Sequence, residues 1–117
     1  MTRDPAALPD LVRRLVDTTL SVDAETSPAL RRSVADRCAA TAGVTREPGE
    51  VPEELTSLVD KIAKHAYRVV DEDYERLREA GYSEDQLYEV TVTAALGASL
   101  GRFERGLEAL RQARSRR

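Results

Sequence analysis

The stretch from Ala66 to Leu100, AYRVVDEDYERLREAGYSEDQLYEVTVTAALGASL, decides the fold that this sequence predicts. A charged segment ends at Ala80 and Gly81, and glycine is the residue that most often closes a helix. Ser83 follows, with Gln86 three positions further on, which is the capping-box pattern that opens a new helix. The stretch therefore predicts two helices joined by a tight turn.

The second of these helices is unusually poor in charge. Val90 to Thr93 alternates like a strand, but the capping box upstream and the alanine-rich run downstream favour a helix. No charged residue lies between Val90 and Gly101, so this helix is predicted to be buried on most sides. Gly97 and Gly101 lie one turn apart and would let another backbone approach closely.

The N-terminal part predicts two further helices and a linker. Apolar residues recur at spacings of three and four from Pro9 to Leu20, which is typical of an amphipathic helix. A second helix is predicted to begin at Ser27 and Pro28, as N-cap and first helical residue, and to end at Gly43. Residues 45–52, TREPGEVP, contain two prolines and a glycine and are predicted to be a linker.

The remaining segments complete an all-α fold of about six helices. Apolar spacing from Glu53 to Val70 predicts an amphipathic helix, and Asp71 is predicted to cap a new helix that runs to Ala80. A separate last helix is predicted from the 3, 4, 3 spacing of Leu100, Phe103, Leu107 and Leu110. The chain is therefore expected to be one domain, 1–117, with a two-helix arm (1–44), the linker and a helical core (53–117).

Composition and charge exclude several classes of function. The formal net charge of -3 argues against general nucleic-acid binding, which needs a basic face. No apolar run reaches the length of a membrane span or of a signal peptide, so a cytoplasmic protein is expected. The one cysteine, Cys38, lies on an apolar helix face and is expected to be buried and inert, and no disulfide within the chain is possible. Nothing in the sequence indicates a metal or another cofactor.

Charge is unevenly placed along the chain. Residues 71–89 hold eight acids against two arginines, and residues 102–117 hold six arginines against two glutamates. An acidic helix start and a basic helix end complement the helix dipole, which is one explanation. Contact of the basic tail with a partner is the other.

The segment from the amphipathic helix through the Gly81-Tyr82-Ser83 turn resembles the helical alkylhydroperoxidase D and carboxymuconolactone decarboxylase-like proteins. Redox members carry a glutamate, then Cys-x-x-Cys-x-x-x-His, then a helix and a Gly-Leu-Ser-like turn. Counting back from Gly81 places the glutamate on Glu54, the two cysteines on Ala66 and Val69, and the histidine on Asp73. Only Glu54 matches, so thiol peroxidase or disulfide reductase chemistry is not expected.

The resemblance implies a homo-oligomer, with a trimer or hexamer expected, and a decarboxylase-like lyase if the protein is an enzyme. Glu54, Lys61 and His65 lie within about 40° of one another on a helical wheel, where they could hold a small carboxylate and move a proton. Glu54 and His65 are about 16 Å apart along the axis, so a ligand, Lys61 or another helix would have to bridge them. The predicted catalytic residues are His65 and Glu54, and the predicted substrate-binding residues are Lys61, Arg68, Tyr67 and Tyr88.

A different function remains open at this stage. The border of an apolar stripe is where partly buried polar residues normally lie, with lysine stems along the core and polar ends in water. On that interpretation the chain is a non-catalytic helical scaffold or interaction protein. A closed pocket around His65 would favour an enzyme, and a solvent-exposed His65 would favour the interaction protein.

Overall fold

The computed structural model describes residues 9–42 and 47–116, and these residues form an all-α protein. Within them the chain forms five α-helices and one short 3-10 turn. The bounds are α1, Asp10–Ser21; α2, Pro28–Thr41; α3, Glu53–His65; the 3-10 turn, Ala66–Arg68; α4, Asp71–Glu79; and α5, Glu84–Ser115. Gly43, which was predicted to end α2, and the first two linker residues lie outside the described ranges.

Local signals in the sequence explain how α2 and α5 begin. The Ser27 hydroxyl accepts a hydrogen bond from the Leu30 N–H at 3.1 Å, and Pro28 follows as the first helical residue. At the start of α5, the Ser83 hydroxyl accepts from the Gln86 N–H, and the Gln86 side chain accepts from the Ser83 N–H. The predicted N-cap of α2 and the predicted capping box of α5 are therefore confirmed.

The turn between α4 and α5 is a Schellman motif. Gly81 has φ of 109°, and its N–H donates to the carbonyl of Arg78 at 3.0 Å, while the Tyr82 N–H donates to the carbonyl of Leu77 at 3.1 Å. Leu77 is buried and Tyr82 packs against the same core cluster, which is the apolar contact that commonly accompanies this motif. Gly81 therefore ends α4, as predicted.

Helix α3 is shorter than the periodicity predicted. It ends at His65 instead of Val70, and Val69 and Val70 are extended. β-branched residues tolerate an extended backbone well, and the Arg102 guanidinium donates to the carbonyl of Ala63 at 2.8 Å, which satisfies one of the carbonyls in the last turn of the helix. Apolar spacing alone cannot detect this stop, because Val69 still packs against the core after the backbone has left the helix.

Two other predictions are corrected at the ends of α4 and α5. Asp71 is the first residue of α4, and Val70 is its N-cap, whose N–H is bound by the Asp73 carboxylate at 2.9 Å. The expected separate last helix is the continuation of α5, which runs without a break through Gly101, so that residues 9–42 and 47–116 contain five α-helices where about six were predicted for the chain. Glycine weakens a helix but does not have to end it, and here close packing offsets its cost.

Close packing between α2 and α5 holds the centre of the fold. A Cβ atom at Gly97 would lie 2.7 Å from the Cα of Ala35, and one at Gly101 would lie 2.9 Å from the Cα of Ala39. The close backbone approach predicted for the two glycines is therefore correct, and it takes place within one chain.

One main core cluster joins α2, α3, α4 and α5. Around it the chain is elongated, with extents of 55 × 29 × 21 Å. A smaller cluster lies where α1 packs against α2 and α5, around Val16, Leu20 and Ala35. The main cluster consists of Val34, Cys38, Leu55, Leu58, Val59, Ile62, Ala63, Leu77, Leu87, Val90, Ala94 and Ala98.

Candidate functional site

Glu54, one of the two predicted catalytic residues, lies in the exposed first turn of α3. Its carboxylate accepts a hydrogen bond of 2.7 Å from the Tyr82 hydroxyl, which comes from the turn before α5. This hydrogen bond holds the pKa of Glu54 below its ordinary value. Burial and the neighbouring carboxylate raise the pKa of Tyr82 to about 12. The contact joins the start of α3 to the α4–α5 turn and keeps Glu54 ionised.

Lys61 lies two turns further along α3 and pairs with Asp73. Its ammonium is 2.8 Å from one Asp73 oxygen, and the other oxygen accepts from the Val70 N–H at 2.9 Å. The Asp73 side chain is only 4% exposed, and the hydrogen bonds from Lys61 and then from Val70 lower its pKa. Both Asp73 oxygens are thus used to fix the start of α4 against α3.

His65 is the last residue of α3 and is exposed. Its ring lies edge-on to Tyr67, with 5.8 Å between the ring centroids, and the Arg68 guanidinium lies over the same tyrosine ring at 5.8 Å. Tyr67 is itself 79% exposed. The 3-10 turn therefore brings three predicted site residues together on the surface, in a cation–π and aromatic cluster that is open to solvent.

Tyr88 lies on α5, apart from the α3 residues, and borders two surface grooves. A groove of about 260 Å³ between α4 and α5 is also lined by Tyr74, Arg78 and Thr91. A second groove, of about 200 Å³, lies between α1, α2 and α5 and includes Arg31 and Glu89. Neither groove is lined by Glu54, Lys61 or His65.

The structure thus places the predicted site residues at four separate positions. Glu54 is with Tyr82, Lys61 is with Asp73, His65 is with Tyr67 and Arg68, and Tyr88 is on another helix. None of the contacts described above links Glu54 or Lys61 to His65. Within 9–42 and 47–116 no group of three His, Cys, Asp or Glu side chains could hold a metal ion.

A buried arginine and a partly buried glutamate near the second groove were not identified from the sequence. Arg31 is 3% exposed and donates to the carbonyls of Thr19 and Val22, while its Nε has no hydrogen-bond partner within the described residues. Burial alone would raise the pKa of Glu89, but hydrogen bonds from Thr26 and from the Glu25 N–H outweigh it and lower that pKa. No local sequence signal marks either residue, because their partners are distant in the chain or are main-chain atoms.

Cys38 is fully buried in the main core, 3.7 Å from the carbonyl oxygen of Val59. Burial raises the pKa of its thiol to about 12. The expected buried cysteine is confirmed, and a neutral thiol without access to solvent is a poor nucleophile.

Comparison of the chain with protein-family models, with curated proteins and with solved structures found no match. No helix in the described ranges combines the length and apolar character that crossing a membrane requires.

Proposed function

We propose that this protein is a non-catalytic helical interaction protein, the second of the two functions that the sequence left open. One observation carries this proposal: two of the three groups on which acid–base chemistry would depend are used in contacts within the chain, and the third lies apart from them on the surface. Glu54 accepts from Tyr82 and Lys61 pairs with Asp73, while His65 is exposed to solvent. A catalytic site needs its acid, base and cation aimed at a common space, preferably one that excludes water.

The contacts of Glu54 and Lys61 instead hold neighbouring elements of the fold together. The Lys61–Asp73 pair and the Asp73–Val70 hydrogen bond fix α4 against α3, and the Glu54–Tyr82 contact fixes the turn that leads into α5. Together they hold α4 and the turn before α5 in place, while close packing on α2 positions α5 itself. We infer that presenting this long helix to a partner is what the fold does.

Binding of a small carboxylate is the second candidate, and one observation favours it. The second groove bordered by Tyr88, between α1, α2 and α5, contains the buried Arg31 cation, whose Nε has no partner in the described residues. The Glu89 carboxylate lines the same groove and would repel an anion, which weighs against this candidate. The homo-oligomer implied by the family resemblance is compatible with either function.

The two candidates are separated by NMR with small carboxylates. We expect that malonate, succinate and benzoate at millimolar concentration leave the signals of His65, Tyr67 and Tyr88 unchanged at pH 6 to 8. Tyr88→Phe and His65→Gln serve as assignment controls. A saturable shift at His65 that Lys61→Met abolishes would refute the proposed function and restore the acid–base hypothesis. A saturable shift at Tyr88, abolished by Arg31→Met in a folded variant, would support the second candidate.

A further inference from the structure

One face of α5 is exposed and free of charge over most of the length of the helix. Eight residues recur at spacings of three or four and lie within about 80° of one another at 100° per residue. Every one of them is exposed. Four of the exposed large apolar side chains of the chain belong to this set, at 41% to 72% exposure. The set, called the α5 stripe below, consists of Tyr88, Val92, Ala95, Ser99, Phe103, Gly106, Leu110 and Ala113.

The second half of α5 has little to hold it within one chain. Of the residues from 102 to 116, none is buried. Helices of about 12 to 15 residues are marginal in water by themselves, and most helical stability in proteins comes from packing of an apolar face. Phe103 and Leu110 supply such a face, at 43% and 51% exposure, and their positions continue the stripe of the first half.

The charges on α5 indicate what covers the stripe. Residues 84–89 carry three acids and no basic residue, whereas residues 102–116 carry five arginines against two glutamates. Two copies of α5 lying antiparallel would bring each acidic end to a basic end, and their helix dipoles would also be favourably opposed. A parallel pair would place like charges together at both ends.

We propose that the α5 stripe is the contact surface for a second copy of this chain, with the two α5 helices antiparallel about a two-fold axis. This inference rests on the proposed function and names its partner. The stripe spans 26 residues from Tyr88 to Ala113, or about 38 Å of helix, so the pair would cover both the core half and the exposed half of each α5.

The side-chain sizes along the stripe fit this arrangement. With the two-fold axis near the middle of the stripe, Ser99 of one copy lies opposite Phe103 of the other, and Ala95 lies opposite Gly106. Beside the axis the small Ser99 faces the large Phe103. In the next layer the small residues Ala95 and Gly106 face each other, so the two helices can approach closely at that layer. Val92 then packs against Leu110 further out. This self-complementary contact is what a two-fold interface requires.

Light scattering after size-exclusion chromatography tests the pairing. At about 100 µM we expect the full chain to have twice its mass of 12.9 kDa. Phe103→Glu and Leu110→Glu, each at an exposed position, should give a single-chain mass. Their helical circular dichroism should fall by no more than the contribution of residues 102–116, which the pair no longer covers. Val70→Glu is the matched control, since Val70 is 49% exposed and lies off α5, and it should leave the pair intact. A single-chain mass for the wild type, or disruption by all three variants alike, would overturn the proposal.

Oxidative crosslinking tests the direction of the helices. In the antiparallel pair the two copies of residue 99 are about 6 Å apart along the axis, and the two copies of residue 110 are about 27 Å apart. Ser99→Cys should therefore form a covalent dimer and Leu110→Cys should not, while the buried Cys38 stays unreacted. Crosslinking at both positions would indicate parallel helices, and crosslinking at neither would place the contact elsewhere; either result overturns the proposal. Neither result bears on His65, so failure here is distinct from failure of the proposed function.

Discussion

At the scale of single residues, Asp73 joins two elements of the fold, because its carboxylate contacts both α3 and the start of α4. The resemblance to the alkylhydroperoxidase D proteins, which stays a prediction, would put the histidine of redox members at this position. In the structure the Asp73 carboxylate binds the Val70 N–H and Lys61 with its two oxygens. An aspartate at the third position of a helix can satisfy the free N–H groups there and complement the helix dipole. The residue thus has a structural explanation that requires no substrate.

Removing the Asp73 carboxylate should lower stability by about 1–2 kcal/mol in Asp73→Ala, because the cap and the partly exposed ion pair are both lost. Asp73→Asn should cost less, since its amide oxygen can still accept from the Val70 N–H. Urea unfolding measures both, with Glu72→Gln, exposed on the same turn, as a control that changes stability by about 0.5 kcal/mol or less. Equal losses in Asp73→Asn and Glu72→Gln would mean that the ion pair contributes nothing measurable.

The same carboxylate should make stability depend on acid pH. Its pKa is held below the ordinary value of about 3.9, so its stabilising contribution is fully present above that pH and is lost as pH falls through the lower folded-state pKa. Unfolding free energies measured from pH 6 to pH 2 should therefore fall less steeply in Asp73→Asn than in the wild type. If the two curves of unfolding free energy against pH ran parallel, the lowered pKa of Asp73 would be contradicted.

The Glu54–Tyr82 contact can be tested without reference to stability. In Tyr82→Phe the Glu54 carboxylate loses its main hydrogen bond, so its pKa should rise towards the ordinary value in a carbon-13 NMR titration. Tyr74→Phe is the matched control, because the Tyr74 hydroxyl bonds to Thr91 instead. In the wild type, one tyrosine should ionise near pH 12 by ultraviolet absorption, and this transition should be missing from Tyr82→Phe.

At the scale of elements, the pairing of α2 with α5 depends on glycines that are surrounded by backbone atoms. A Cβ at Gly97 would meet the main chain of Ala35, and one at Gly101 would lie 2.6 Å from the carbonyl oxygen of Ala39. Backbone atoms in a packed helix cannot move aside as a flexible side chain can. Small residues here set the distance between the two helices.

Gly97→Ala should therefore destabilise the fold by about 1–3 kcal/mol, even though alanine is the better helix former by about 1 kcal/mol. Gly106→Ala is the matched change on the same helix, where a Cβ meets nothing within 4 Å, and it should stabilise by about 0.5–1 kcal/mol. Both are best measured by chemical unfolding in a Leu110→Glu background, so that self-association does not contribute. A neutral Gly97→Ala would show that α2 and α5 can separate at little cost.

At the scale of the whole molecule, the main core takes residues from both the predicted two-helix arm and the predicted helical core. Val34 and Cys38 of α2 pack in one cluster with Leu55 of α3 and Val90 of α5. Segments that share one core are expected to unfold together, and segments with separate cores can open independently. The division of the chain into arm, linker and core stays a prediction.

Hydrogen exchange can decide whether that division has a thermodynamic meaning. We expect amides of α2 near Val34 and amides of α5 near Val90 to exchange with the same free energy, and chemical unfolding to show one transition by fluorescence of the tyrosines and by circular dichroism. Exchange of α1 and α2 at a clearly lower free energy than α5 would support a separable arm.

Local chemistry in the sequence determined where α2 and α5 begin and where α4 ends. Ser27 with Pro28, the Gly81 turn and the capping box at Ser83 each act within a few residues, so they can be interpreted without knowledge of the rest of the chain. The all-α fold and the buried Cys38 follow from such signals and from apolar spacing. These predictions succeeded because both the cause and the effect are close together in the chain.

Tertiary structure decided what the side chains contact. Arg102 binds a carbonyl near the end of α3, that of Ala63, from thirty-nine positions away, and Glu54 meets Tyr82 twenty-eight positions away. Gly97 and Gly101 were recognisable as places of close approach, but only the fold shows that α2 is their neighbour. The candidate site was predicted from one helix face. Helical spacing gives the side of the helix on which each residue lies, but not which residues of other helices it contacts. The partners that face it from other helices determine whether its polar groups are available for chemistry or used in packing.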